Sequence, residues 1–160
     1  TLRTSSAASD VYKRQALLDI NTGESRILRA DIVQDCGNSL NENIDIGQIE
    51  GGFIQGLGWL TCEELCFSKE GKLLTTGPST YKLPGSRDIP QIFNVKLLEK
   101  ADNEEKTIFR SKAVGEPPLL LAISHFLALK EAIRASSTNS RPELLNSPAT
   151  PSEILKVLKV

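Results

Sequence analysis

The sequence has no excess of charge of one sign, and it has few aromatic side chains. Nineteen lysines and arginines stand against twenty aspartates and glutamates, so the net charge is −1. Phenylalanine, tryptophan and tyrosine together make up 5% of the residues. A nucleic-acid surface usually combines a positive field with aromatic rings on which bases stack, and an anionic membrane also attracts positive segments. We therefore expect neither nucleic acid nor membrane as a partner.

Long hydrophobic runs and clusters of catalytic histidines are also missing. No apolar stretch reaches the roughly 20 residues that span a bilayer. His125 is the only histidine, and the residues three and four positions away from it are all apolar. This pattern predicts a histidine in the hydrophobic core. The sequence shows no Ser-His-Asp arrangement and no histidine-based metal site.

The three cysteines favour free thiols. An odd number without a recognisable signal peptide indicates a reducing compartment, so we expect a cytoplasmic protein. Cys62 and Cys66 lie four positions apart, but no histidine or further cysteine pair lies nearby. We therefore interpret them as ordinary buried thiols rather than as zinc ligands.

Residues 1–15 differ from the rest of the chain. They are small and polar, and they follow neither the two-residue period of a strand nor the 3.6-residue period of a helix. The letters "SAASDVYKRQ" resemble a translated sequencing adapter. We interpret residues 1–15 as a non-native leader that packs against nothing, with a floppy terminus as the alternative. The domain is then residues 16–160, a fragment of a longer protein.

From residue 16 onward the patterns predict an α+β fold. "ALLDINTGESRILRADIV" indicates two strands joined by a turn at Gly23, and "QIFNVKLLEK" alternates like a third strand. A helix capped by Asp45 follows the second strand. A hairpin at Gly71 and an extended loop, "GPSTYKLPGSRDIP", precede the third strand. A buried helix occupies residues 117 to about 135, a linker follows, and a short helix starts near Pro151.

Glu116 stands between a glycine and two prolines at the start of the buried helix. Pro117 suits the first turn of a helix, and a residue before proline is pushed away from helical ψ. The Glu116 side chain therefore leaves a restricted backbone, while Gly115 permits close approach of another group. A carboxylate held in this way can act as a general base. The alternative is an acid that only complements the helix dipole, and spacing alone favours that alternative.

The first predicted helix is rich in glycine, although each glycine costs about 1 kcal/mol of helix stability relative to alanine. Close contact with another helix or with a bulky cofactor would explain the pattern, which is neither GxGxxG nor a Walker loop. Two glutamines seven positions apart share one face, and their amides suit a pterin edge or a phosphate; simple solvation is the alternative. The residues concerned are Gly47, Gln48, Gly51, Gly52, Gln55 and Gly56.

Four separated motifs resemble one family. In order they are "DIGQIEGGFIQGLGWLTCEEL", "GPSTYKLP", "SKAVGEPPL" and "NSPATPSEIL". They are similar to the C-terminal part of the molybdopterin-binding region of the molybdenum hydroxylase family, in its xanthine dehydrogenase branch. The resemblance covers residues 16–160. Pro117 and Pro118 favour this branch over the aldehyde oxidases, which tend to have small residues there.

The resemblance implies an oxidoreductase that hydroxylates purine carbons, converting hypoxanthine to xanthine and xanthine to urate. Glu116 matches the family's catalytic general base, and Gln48 matches a glutamine that contacts the molybdenum-molybdopterin cofactor. Electrons would leave through 2Fe-2S clusters to FAD and NAD, bound outside this chain. The parent would be a homo-oligomer whose other domains or subunits complete the site.

The resemblance also leaves much of such an enzyme unaccounted for. The iron–sulfur and flavin regions and the substrate-clamping residues are absent from the chain, so we expect the isolated chain to be inactive. We expect its apolar faces around Phe53, Trp59 and Leu120 to meet missing segments. Two alternatives stay open: a hydroxylase for aldehydes or other N-heterocycles, and an inert fragment that only contributes packing surface.

Overall fold

A computed structural model describes residues 2–9, 12–99 and 103–158, with side chains described within 16–99 and 103–158. The strands are β1 (Leu2–Ser9), β2 (Tyr12–Asp19), β3 (Ser25–Gln34) and β4 (Ile92–Leu97). The helices are α1 (Glu42–Thr61), α2 (Pro117–Leu121), α3 (Ile123–Ser136) and α4 (Pro151–Leu158). Short 3-10 turns occupy Ile108–Arg110 and Pro142–Leu144. The predicted α+β class is confirmed.

The four strands form one sheet in the order β1-β2-β3-β4. β1, β2 and β3 are antiparallel neighbours, whereas β4 runs parallel to β3. Parallel neighbours need a crossover connection, usually a helix, and α1 lies in the connection between β3 and β4. The predicted turn between β2 and β3 is confirmed, with Gly23 at φ +74°.

The described residues of the predicted leader, 2–9 and 12–15, have regular structure. Leu2–Ser9 forms β1, and residues 12–15 belong to β2, against which β1 pairs along its whole length. The expectation that residues 1–15 pack against nothing is therefore wrong. The periodic pattern of side chains gave no signal here, whereas β1 is joined to β2 by the backbone hydrogen bonds of an antiparallel ladder. The non-native origin of the segment and the boundary at residue 16 stay predictions.

A β-bulge determines which residues of β3 point inward. The register with β2 shifts between Gln15 and Ala16, which pair with Arg29 and Ile27. The extra residue breaks strict alternation. It places Ile27, Ala30 and Ile32 together in a core with Ile49, Phe53 and Leu57 of α1.

A second core joins α3 and α4 to β2. Its buried residues include Ala16 and Leu18 of β2, Leu129 and Ile133 of α3, and Ile154 of α4. The predicted linker after α3 contributes as well, because Pro142 and Leu145 are buried. The segment connects α3 and α4 as predicted, but these two buried apolar residues anchor it to the fold, which the prediction did not include.

Three further predictions need correction. Asn41 rather than Asp45 caps α1, because its Oδ1 accepts a hydrogen bond from Ile44 N at 3.3 Å. The predicted helix over 117–135 breaks at Ala122, where the N–H bonds to Leu119 O in a tightened turn. Phe53 is fully buried, whereas Trp59 and Leu120 are 50% and 63% exposed, so only the latter two belong to an open apolar surface.

Candidate functional site

Four of the five glycines of α1 form two pairs with different surroundings; the fifth, Gly58, lies against Glu63 and Pro84. A Cβ atom at Gly56 would lie 2.2 Å from Leu119 O and 2.9 Å from Ala122 Cβ. A Cβ atom at Gly52 would lie 3.0 Å from Gly115 O. These two glycines let α2 and the residue before Glu116 lie against the backbone of α1. The interpretation as close helix–helix contact is confirmed for this pair.

The other pair faces open space. A Cβ atom at Gly47 or Gly51 would meet nothing within 4 Å. Both glycines are exposed, as are Gln48 and Gln55. In a helix, residues three and four positions apart are neighbours, so Gln48, Gly51 and Gln55 share one face. This open polar face lies beside the row of Gly52 and Gly56.

Glu116 lies at the N-cap position of α2, and its side chain is exposed. Its backbone is helical, with φ −85° and ψ −42°. The prediction that proline would push it out of the helical region is wrong; the preference is a bias, and the α1 contact on both sides of this residue overrides it. Its side chain caps no backbone N–H of α2.

The structure brings the two predicted site residues to one place. A Cβ atom at Gly115 would lie 3.6 Å from Gln48 Oε1. The Gln48 amide therefore lies against the residue that precedes Glu116. We call Gln48, Gly51, Gly52, Gly115 and Glu116 the α1–α2 junction. It presents one amide and one carboxylate on an open surface.

The segment before Glu116 is held by the loop that follows β3. Lys112 Nζ lies 2.5 Å from Asp35 Oδ2, and Lys112 N donates to Cys36 O at 2.9 Å. Asp35 Oδ1 also accepts from Gly37 N at 2.9 Å. The Lys112 ammonium group, and then the Gly37 N–H, hold the pKa of the Asp35 carboxyl below its ordinary value. Sequence patterns could not reveal this pair because 77 positions separate its members.

The remaining candidates lie away from the junction. His125 is buried, as predicted, and it lines a small cavity with residues such as Arg26, Thr61 and Arg87. Cys36 is buried and Cys62 half-buried, and burial raises the pKa of both thiols. Cys66 is exposed, so the prediction of a buried thiol is wrong there.

Neither a metal cluster nor a membrane span occurs in the part of the chain that the structure describes. No group of three or more His, Cys, Asp and Glu side chains that could hold a metal ion occurs in 16–99 and 103–158. Among the helices described, none combines the length and apolarity needed to cross a membrane.

Residues 15–90 match the family model of a molybdopterin cofactor-binding domain. The chain is similar to curated xanthine dehydrogenases. It is 54% identical to the xanthine dehydrogenase/oxidase of Felis catus over 143 residues, which is 86% of this chain and 11% of that protein. It is 48% identical to the xanthine dehydrogenase of Dictyostelium discoideum over 136 residues, 83% of this chain and 10% of that protein. The chain thus spans about a tenth of these relatives' length.

Solved structures show the same fold. The quinoline 2-oxidoreductase of Pseudomonas putida 86 superposes with a TM-score of 0.79 at 25% identity, covering 92% of this chain and 18% of that one. The aldehyde oxidoreductase of Desulfovibrio gigas gives a TM-score of 0.71 at 25% identity, covering 93% and 15%. The chain therefore belongs to the molybdenum hydroxylase family and represents part of its molybdopterin cofactor-binding domain.

Proposed function

We propose that this chain is the part of a purine-oxidising molybdenum hydroxylase that supplies the general base and one contact to the cofactor. The observation that carries the proposal is the α1–α2 junction, where Gln48 adjoins the residue before Glu116. The identity of 54% to a xanthine dehydrogenase/oxidase supports a purine substrate such as hypoxanthine or xanthine. Glu116 is the proposed catalytic residue.

The junction has the properties that a bound molybdopterin cofactor requires. Gln48 offers an exposed amide, which can both donate to and accept from a pterin edge or a phosphate. Gly51 leaves open space beside it, so a bulky group can approach the helix backbone. Gln48 would therefore hold the cofactor on α1. When bound, the cofactor supplies the molybdenum centre that takes up two electrons from the substrate.

Glu116 would accept a proton at a carboxylate oxygen during the hydroxylation. Three features support this role over simple complementarity to a helix dipole. Its side chain caps no N–H of α2, α2 is only five residues long, and the backbone around it is fixed by contact with α1. A fixed distance between base and reacting group lowers the entropic part of the barrier.

The remaining parts of the proposed enzyme lie outside this chain. Electrons would pass through 2Fe-2S clusters to FAD and NAD, and other domains or subunits of a homo-oligomeric parent would complete the substrate pocket. The free thiols Cys36, Cys62 and Cys66 suit a cytoplasmic location. Exposed apolar residues such as Trp59 and Leu120 are suitable surfaces for contact with those other domains.

A second candidate is the hydroxylation of an aldehyde or of another N-heterocycle. It is favoured by the likeness to the quinoline 2-oxidoreductase and to the aldehyde oxidoreductase. Turnover of xanthine, hypoxanthine, quinoline and benzaldehyde by the full-length protein would separate the two. A kcat/KM at least tenfold higher for a purine than for the others supports the first candidate, and the reverse order supports the second.

The general-base role is tested by Glu116→Gln in the full-length protein. The amide keeps the size of the side chain but cannot accept the proton, so we expect turnover to fall roughly 10²–10⁴-fold. This corresponds to about 3–5 kcal/mol of activation free energy. Molybdenum content and melting temperature should stay at their wild-type values. All three quantities are measured on one preparation.

Glu42→Gln is the matched control, because Glu42 is an exposed acid in the first turn of α1. It should leave turnover unchanged and lower stability by about 0.3–1 kcal/mol through the helix dipole. If Glu116→Gln behaves like this control, with turnover within about fivefold of wild type at full molybdenum content, the assignment of Glu116 is wrong.

A further inference from the structure

One ion pair connects two distant segments of the chain next to the α1–α2 junction. Lys112 Nζ lies 2.5 Å from Asp35 Oδ2, across 77 positions of sequence. Four other ion pairs, Arg29–Asp31, Lys82–Asp88, Arg134–Glu131 and Lys156–Glu153, join residues at most six positions apart. Of these five pairs, the Lys112–Asp35 pair is the one that joins two distant parts of the fold.

The Asp35 end of the pair is held in place. Asp35 follows β3 directly, and its second carboxylate oxygen accepts the Gly37 N–H at 2.9 Å. Gly37 has φ +62°, and a Cβ atom there would lie 2.3 Å from Arg110 O. Only glycine adopts this conformation readily at such close backbone approach. The carboxylate thus projects from a fixed turn.

The Lys112 end leads directly to the proposed base. Lys112 lies four positions before Glu116, and its own N–H donates to Cys36 O. Between them, Val114 packs against the core of β3 and α1, and Gly115 lies over Gly52. A displacement of Lys112 along the chain would therefore be transmitted to Glu116 through a short segment with little freedom.

We propose that Lys112 and Asp35 are a positioning pair: their ion pair anchors the segment before Glu116 to the end of β3 and so fixes where the Glu116 carboxylate lies. This proposal rests on the proposed function. Both side chains are about a third exposed or more, at 35% and 39%. Ion pairs in such surroundings contribute little to stability. The pair is therefore better suited to fix the register of the segment than to hold the domain together, and its loss should change kcat more than melting temperature.

The test uses Lys112→Met and Asp35→Asn in the full-length protein. We expect either change to lower kcat about tenfold, because a small misplacement of a catalytic group is costly, with KM and molybdenum content unchanged. The double variant should be no slower than either single one, since both remove the same pair. Lys112→Arg should keep most of the wild-type activity.

Lys82→Met is the matched control, because it breaks the Lys82–Asp88 pair elsewhere in the fold. It should have no effect on kcat.

Two further comparisons show whether the Lys112–Asp35 pair acts through Glu116 or directly on the reaction. In the Glu116→Gln background, Lys112→Met should cause no additional loss, because the pair acts through Glu116. A direct electrostatic effect of the lysine would instead make Lys112→Met and Asp35→Asn change kcat in opposite directions, and that result would overturn the proposal. An equal loss in the Glu116→Gln background would also overturn it.

Three other results of these measurements would also overturn the proposed positioning role. A drop of several degrees in melting temperature, or loss of molybdenum, in both single variants would identify a structural pair instead. Turnover within about twofold of wild type in both variants would show that the pair positions nothing. If Glu116→Gln itself keeps full turnover, the proposed function fails first, and the positioning role fails with it.

Discussion

The segment that carries Glu116 is held on its two sides by different physical means. After Glu116, α2 lies on the backbone of α1 at Gly56, where there is no space for even one methyl group. Before Glu116, the chain is joined to the end of β3 by the half-exposed Lys112–Asp35 pair. The first contact is steric and independent of pH and salt. The second is electrostatic and adjustable.

The two contacts have different roles: the steric contact contributes mainly to the stability of the fold, and the ion pair mainly to the position of Glu116. A close-packed contact resists any added volume, so its disruption is expected to destabilise the fold. A solvated ion pair adds little free energy, but it restricts the register of the two segments of chain that it joins. The two contacts together predict that substitutions at Gly56 are seen mainly in the melting temperature, and substitutions at Asp35 or Lys112 mainly in turnover.

The largest effect on stability is expected for Gly56→Ala. The new methyl group would lie 2.2 Å from Leu119 O, so α2 must move away from α1. Overpacking of this kind typically costs about 1–3 kcal/mol. We expect a lower melting temperature and, because Glu116 moves with α2, a lower kcat. An unchanged melting temperature would show that the helices are not in close contact.

A smaller effect of opposite sign is expected for Gly51→Ala, five positions earlier on the open face. The added methyl group meets nothing within 4 Å, and alanine favours the helix by about 1 kcal/mol over glycine. The melting temperature should rise. If cofactor contact is the reason for glycine here, molybdenum content should fall at the same time. A variant that is stabilised and keeps full molybdenum content would show that the open pair has no role in cofactor contact.

Local rules predicted much of the fold, and they were wrong where tertiary contact decides. The turn at Gly23, the strand of Ile92–Leu97 and the helix start at Pro151 follow from residue type and period alone. The break at Ala122 follows from packing against α1 near Gly56, which no local pattern encodes. Asn41 displaced Asp45 as the cap because several polar residues near the helix start could serve.

The candidate site, too, could be predicted from the sequence only in part. The resemblance pointed to Gln48 and Glu116, and the fold places Gln48 against the neighbour of Glu116. The separation of the glycines into a packed pair and an open pair could not be predicted, since it depends on which helix covers α1. The Lys112–Asp35 pair was equally inaccessible, because ion pairs over 77 positions are defined only by the folded chain.

The smallest expected effect concerns stability: the contribution of the Lys112–Asp35 pair to the free energy of unfolding should depend on pH. The Lys112 ammonium group, with the Gly37 N–H, lowers the pKa of Asp35 in the folded protein. A depressed folded pKa means that the contribution to stability is fully present above the ordinary pKa of about 4 and is lost as the pH falls through the folded value. The exposure of both side chains keeps this contribution within about 1 kcal/mol.

The difference in melting temperature between wild type and Asp35→Asn should therefore be constant near neutral pH and should shrink below about pH 4. Other acids whose pKa is lowered, such as Asp19, Glu70 and Glu153, titrate in both proteins and cancel in the difference. Asp88→Asn is the control for the effect on kcat, because Asp88 also accepts hydrogen bonds from a lysine and from a backbone N–H but lies away from the α1–α2 junction. The Asp88→Asn variant should leave kcat unchanged. A difference for Asp35→Asn that grows towards acid would contradict the expected sign, because it would require the folded protein to bind the proton more tightly than the unfolded chain.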